Sequence, residues 1–242
     1  MALYSTEAII IGAKNWGETD RIITLLSPEK GLIKATAFGA RRPKSQLAGA
    51  LQLFNIVEIQ LAAGERIDTV RQCSLKKAYP ALMSDFTAMA YGSFVAELAA
   101  LLAIEDFPQA DMYKELTGIF AAFGQRNPRI VALAAAFKLL EGSGMQLAYT
   151  SCIRCGEEIE GDAMFSIGHG GAICSKCQAD AAVPYPAELR QFIAQLISLD
   201  WNAQLSFRVS KTALLAAEDL MLRYLRQIFD KPLKSLEFIS QL

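Results

Sequence analysis

The stretch Leu51-Gln52-Leu53-Phe54-Asn55-Ile56-Val57-Glu58-Ile59-Gln60-Leu61 reads as a strand with one apolar and one polar side. Leu51, Leu53, Val57, Ile59 and Leu61 share one face, and Gln52, Glu58 and Gln60 the other. Alternation of period two marks a half-buried strand, because successive side chains point to opposite faces. Working outward, similar runs lie at Glu7–Lys14, Arg21–Leu26 and Leu32–Phe38 on one side and at Arg66–Lys76 on the other. Turn-forming residues separate them at Asn15-Trp16-Gly17, Ser27-Pro28-Glu29-Lys30-Gly31 and Ala62-Ala63-Gly64-Glu65. Five short strands within residues 1–80 suit a small barrel. The expected form is an OB-fold, a five-stranded Greek-key barrel, with an SH3-like barrel as the alternative.

Beyond Pro80 the period changes from two to that of a helix. Phe86, Met89, Ala90, Phe94, Leu98, Leu101 and Leu102 recur at helical spacing, with Ser84 or Asp85 as the cap. Further helices fit Ala110–Phe123, Pro128–Leu140, Pro186–Leu199 and Lys211–Phe229. The tail from Lys231 to Leu242 carries no strong pattern. Residues 150–180 interrupt the helical material. The expected class is therefore α+β and multidomain. It comprises an OB-fold at 1–80, a helical domain of 81–149 and 181–242, and a cysteine module at 150–180 inserted in that domain.

Composition narrows the function. The 242 residues are 52% hydrophobic and 20% charged, a globular balance. No apolar run approaches the roughly 20 residues that span a bilayer. The first residues, Met1 to Glu7, lack the basic segment of a secretory leader, so a cytoplasmic location is expected. The single histidine, His169, lies in the turn Gly168-His169-Gly170-Gly171. Triads and HExxH sites each need a placed histidine, and neither a phosphate loop nor a dinucleotide fingerprint is present. No catalytic residue is assigned, and the chain is not expected to be an enzyme.

The sharpest chemical signal is Cys152-Ile153-Arg154-Cys155-Gly156 followed by Cys174-Ser175-Lys176-Cys177. Each C-x-x-C pair can turn two sulfurs toward one ion, and Gly156 permits the tight turn. Four thiolates suit one tetrahedral Zn2+ with no open position, hence a structural ion. The alternatives are redox or buried thiols without metal, and an Fe–S cluster. Cys73, in the fifth strand, reads as a small core residue.

Charge is unevenly spread. Residues 1–80 hold eleven Lys+Arg against seven Asp+Glu, a balance of +4, whereas residues 81–242 hold thirteen against eighteen, a balance of −5. The densest basic run is Gly39-Ala40-Arg41-Arg42-Pro43-Lys44-Ser45, whose Gly and Pro make it a loop. Arg41, Arg42 and Lys44 on a barrel rim suit a phosphate backbone, and Lys34, Lys14, Arg21, Arg66 and Arg71 extend the track. Trp16 is either a base-stacking ring or a lid on the core. An RNA-binding or translation-linked OB protein with a zinc knuckle is the alternative function at this point.

Several runs also carry a family resemblance. They are Trp16-Gly17-Glu18-Thr19-Asp20, Thr24, Ser27, Gly31, the basic loop through Gln46-Leu47, Leu51-Gln52-Leu53-Phe54, Phe137-Lys138-Leu139-Leu140 and Lys231-Pro232-Leu233-Lys234-Ser235. In this order they resemble the bacterial RecO family of DNA repair proteins. The resemblance implies an OB-fold joined to a helical domain with a zinc module; some members lack the cysteines, and this chain has all four. It implies binding to single- and double-stranded DNA, annealing of complementary strands, and partnership with RecR, and with RecF in many bacteria. Together these mediators help RecA replace single-strand-binding protein (SSB). It further implies contact with the acidic C-terminal tail of SSB through the helical domain, for which Arg126, Arg129 and Lys138 are the candidate cations. A nucleoid-associated cytoplasmic location follows from the same resemblance.

Overall fold

Strands β1 (Leu3–Trp16), β2 (Asp20–Ser27), β3 (Gly31–Ala37), β4 (Ile56–Ala62) and β5 (Asp68–Lys77) close into a barrel in the order β1-β2-β3-β5-β4. The computed structural model describes residues 2–178, 181–203 and 209–239. β1 is long enough to pair with β4 through Leu3–Ile9 and with β2 through Ile9–Trp16, with a bulge between Ile10 and Gly12. β3 and β5 close the ring in parallel, Ala35 opposite Asp68. This Greek-key order is that of an OB-fold, and it excludes the SH3-like alternative. Ile10, Ile23, Leu25, Ala35, Ile59 and Leu61 fill the interior. Cys73 packs at its margin, and burial raises its thiol to about 11, as fits a core residue.

The quoted strand is shorter than its alternation predicts. It begins at Ile56; residues 51–55 form an irregular connection after a short helix, α1 (Leu47–Ala50). Leu51 is buried in the barrel core from this connection. Phe54 adopts φ 71°, a left-handed conformation that ends any strand there. Its ring meets Phe120 edge-on at 5.1 Å, and its neighbour Asn55 donates to the Ala50 carbonyl at 3.0 Å. The apolar alternation of Leu51 and Leu53 thus reflects burial of a loop. The fifth strand likewise starts at Asp68, two residues after Arg66.

Two compact units account for the chain, Met1–Pro128 with Ser235–Leu242, and Arg129–Lys234. In the first, helices α2 (Pro80–Ser84), α3 (Phe86–Leu102) and α4 (Ala110–Ala122) accompany the barrel. Asp85 caps α3, accepting from the Ala88 N–H at 2.8 Å. The loop after α3 joins the barrel where Leu32 N–H donates to the Ile104 carbonyl at 2.9 Å. Glu97 is the one charged residue of the apolar α3 run. Its carboxylate accepts from the Ser235 N–H (2.8 Å) and hydroxyl (2.6 Å). Ser235 belongs to α8 (Lys234–Ile239), a helix in the tail that had shown no pattern; tail residues 240–242 lie outside the described residues.

The second unit contains α5 (Pro128–Gly142), α6 (Ala187–Ile197) and α7 (Lys211–Ile228). Ser210 caps α7 through the Ala213 N–H, and Pro186 stands at the α6 N-cap instead of inside its first turn. Between α5 and α6 lies a sheet of order β7-β6-β8, formed by β6 (Ala163–Ser166), β7 (Gly171–Ile173) and β8 (Ala182–Tyr185). Strands of three or four residues are too short for alternation to reveal. Among the described residues, no helix is long and apolar enough to cross a membrane.

Candidate nucleic-acid interface and metal centre

The outer face of β1–β2–β3 is defined by register. Residues directly opposite in antiparallel strands share a face. Thr24 pairs with Gly12 and Lys34, and Ile22 pairs with Lys14 and Thr36. Trp16 pairs with Asp20, and Phe38 is the first turn residue after β3, one step beyond the pair Arg21↔Ala37, with its neighbour Gly39 donating to Asp20. The intervening residues Ile23, Ala35 and Ala37 point into the core. Lys14, Trp16, Lys34 and Phe38 therefore project from one outer face, in three rows.

The rim loop is built against this face. Arg41 donates from its backbone N–H to the Thr19 carbonyl at 2.8 Å and from Nη1 to the Gly17 and Glu18 carbonyls at 3.3 and 3.1 Å. Asp20 accepts from the Gly39 N–H at 2.7 Å. These bonds tie the basic loop to the β1–β2 turn, beside Trp16. Gly39 has φ +63°, and a Cβ there would lie 3.3 Å from the Arg42 side chain, which crosses it. Arg42 and Lys44 are exposed.

The remaining cations divide. Lys34 pairs with Glu105 at 2.5 Å, both half-exposed, a contact of about 0–1 kcal/mol that a phosphate can displace. Arg21 follows the inward periodicity of β2 and donates to the Leu51 carbonyl at 3.3 Å, bracing the barrel end. Arg66 is exposed on the β4–β5 turn, two residues before Asp68, which pairs with Ala35 of β3. Arg71 lies apart from this group. It lines a groove on the β4–β5 side with Glu58, Gln60, Gln72 and Ser74. Trp16 is 56% exposed, so it is not a core lid. Phe38, 62% exposed, was not among the sequence-derived site residues. The signal was present, a large aromatic beside a basic loop, at the end of the apolar run Leu32–Phe38.

Arg129 and Lys138 are engaged within their own unit. Arg129 makes a two-pronged ion pair with Glu218 through Nε and Nη2. Lys138 Nζ sits 5.3 Å from the centre of the Trp201 ring. Arg126 belongs to the other unit, on the segment after α4.

The second unit holds the cysteine tetrad. The sulfurs of Cys152, Cys155, Cys174 and Cys177 all lie within 4.8 Å of one another, and Cys155 and Cys174 are 3.8 Å apart. Four sulfurs around one ion, with bonds of about 2.3 Å, form a tetrahedron with edges of about 3.8 Å. The residues therefore fit a tetrahedral metal ion. Local backbone prepares the site. Gly156 takes φ 77° and donates to the Cys152 carbonyl at 2.8 Å, and the Arg154 N–H points at the Cys152 sulfur at 3.4 Å. Burial opposes ionisation of Cys152, but backbone N–H groups of Cys174, Cys155 and Arg154 outweigh it and bring the thiol to about 6. Cys177 moves the opposite way, to about 12, because its thiol donates to the Cys174 and Cys155 sulfurs. A cation removes that competition by holding all four as thiolates. His169 is not part of the cluster; it is exposed in its turn, with Nδ1 2.9 Å from the Ser166 hydroxyl.

Comparison with known proteins bears on both regions. The family described as "Recombination protein O N terminal" matches residues 1–79, and "Recombination protein O C terminal" matches residues 83–237. DNA repair protein RecO of Symbiobacterium thermophilum is 31% identical over 249 residues, covering 100% of this chain and 98% of that protein. The namesake of Pelotomaculum thermopropionicum is 30% identical over 245 residues, covering 100% and 95%. That of Bifidobacterium animalis subsp. lactis is 31% identical over 245 residues, covering 99% and 100%. With both family regions matched in order and relatives aligned from end to end, the chain belongs to the RecO family of DNA repair proteins.

Proposed function

We propose that this chain is a non-catalytic recombination mediator. It binds single- and double-stranded DNA, anneals complementary strands and, with RecR, helps load RecA onto SSB-coated single strands. The observation that carries the reading is the convergence of Lys14, Lys34, Arg41, Arg42, Lys44 and Arg66 around the β2–β3 face and its flanking turns. OB-folds bind oligonucleotides on the face of strands 2 and 3 and the turns after strands 1 and 4; Arg66 lies on the second of these turns, and Arg41 bonds the basic loop to the first. Annealing forms no covalent bond, so it needs no general base or nucleophile. It needs strand repulsion lowered, and cations that displace condensed counterions do this. Family membership favours DNA over the RNA reading.

In this reading residues 1–80 form the DNA-binding domain. Residues 81–149 and 181–242 form a helical domain for partners, with the module 150–180 inserted in it. The tetrad of Cys152, Cys155, Cys174 and Cys177 holds one structural Zn2+. Zinc supplies no chemistry to the DNA; it fixes a segment that has only short strands to hold it. The acidic tail of SSB competes with Glu218 for Arg129, with Lys138 as a further cation of the same unit; Arg126, in the other unit, is a separate candidate contact for that tail. RecF, a partner of many family members, is a further candidate partner, and the work takes place on the nucleoid in the cytoplasm.

The test is annealing of SSB-coated complementary strands with and without the chain. Faster annealing that depends on Arg41, Arg42 and Lys44 is expected. Annealing at the protein-free rate refutes the function, and full rate in a folded R41E/R42E/K44E variant refutes the assigned surface.

A further inference from the structure

Two large aromatic rings stand in water on the outer face of the barrel, and nothing in their own fold requires it. Trp16 is 56% exposed and Phe38 is 62% exposed. Trp16 pairs with Asp20, and Phe38 directly follows Ala37, whose partner is Arg21; continuing that register by one step sets the two rings on either side of Asp20, two strand spacings or about 9–10 Å apart. The next rows along the same face present Lys14 and Lys34, and the rim beside Trp16 presents Arg41 and Arg42. Their positions are fixed. The Trp16 turn is held by Arg41 through the Gly17 and Glu18 carbonyls, and the Phe38 turn by Asp20 through the Gly39 N–H.

An exposed apolar pair flanked by cations suits one class of ligand, a flexible polyanion that carries flat apolar faces. Unpaired bases on a phosphate backbone meet that description. In a duplex the bases are already stacked on each other and present only edges in the grooves. From this geometry we infer that Trp16 and Phe38 form a two-base stacking platform that binds single strands by their bases, while the loop cations hold phosphates of either form. This deepens the function proposed above and rests on it. The consequence is a built-in direction. A strand held by its bases loses those two contacts when it pairs, so duplex product leaves the face that captured its precursors.

The test uses the full chain and labelled oligonucleotides, single-stranded and duplex, titrated at several salt concentrations. At the lower end of base-stacking energies each single variant, W16A or F38A, weakens single-strand binding about fivefold and the double variant about thirtyfold. Duplex affinity and the salt slope stay unchanged, because no cation is removed. W16F/F38Y, which keeps both rings, restores single-strand binding. Independently, single strands quench the emission of exposed Trp16, leaving buried Trp201 as background, and W16F abolishes the quenching. Unchanged single-strand affinity in W16A/F38A overturns the platform, as does an equal loss on duplex. Wild-type binding without quenching overturns it too. Failure of the wild type to bind either form refutes the proposed function instead, so the two failures are distinguishable.

Discussion

Replacing Arg42 and Lys44 with glutamine isolates the electrostatic part of DNA binding from the part that holds the fold. Among the described residues, neither side chain makes a hydrogen bond or ion pair. Their loss should therefore move stability by no more than about 0.5 kcal/mol, as for surface positions generally. Arg41 stays, because it braces the β1–β2 turn through two carbonyls as well as offering charge. Each phosphate contact to a single strand contributes about 0.7 to the slope of log affinity against log salt. Removing two contacts lowers the magnitude of that slope by about 1.4. A fourfold rise in salt then shrinks the wild-type advantage about sevenfold. Fluorescence anisotropy of a labelled single strand across a salt series measures this directly. Parallel lines for wild type and the double variant, with equal affinity, would refute the placement of phosphates on this loop.

Other perturbations test the scaffold and the metal centre. Elemental analysis should give about one zinc per chain, and C155S or chelation should loosen β6–β8 while the barrel amides keep their hydrogen-exchange protection. Gly31 sits at φ +67°, and a Cβ there would lie 2.3 Å from the carbonyl oxygens of Ile104 and Phe107. G31A should cost at least about 2 kcal/mol in a denaturant melt; an unchanged midpoint would show that the loop after α3 shifts freely. The Glu7 carboxyl is held below its usual range by hydrogen bonds from Lys76 and Tyr113. A lowered folded value means its stabilisation is complete above about 4.5 and fades as pH falls further. E7Q should therefore lose less stability than wild type on acidification, and equal losses would remove Glu7 from the account.

Much of this molecule is legible in its chain because its signals are local. The alternation in Arg21–Leu26 and Leu32–Phe38 reports the pleat itself, and it yields β2 and β3 almost to the residue. The two C-x-x-C pairs report a donor geometry set by a few bonds, and the tetrad forms as that spacing requires. The uneven charge, +4 against −5, locates the basic surface before any fold is known.

What the chain hides is whatever depends on partners distant in sequence. Leu51 and Leu53 alternate like a strand, yet burial by the barrel end and by Phe120 makes their segment a loop with Phe54 left-handed. Glu97 looks like a flaw in an apolar helix until Ser235, 138 positions later, donates two hydrogen bonds to it. Nothing in the run Leu32–Phe38 or around Arg21 says which way either side chain points; strand register turns Phe38 outward near Trp16 and Arg21 inward toward Leu51. Sequence by itself determined the change from strands to helices near Pro80, the four-cysteine cluster and the sign of each region's charge, because these rest on local periodicity, spacing and composition. Which side chains share a face was decided only by the tertiary structure. A strand's two faces differ by a single residue step, and only its neighbours fix which face turns to water.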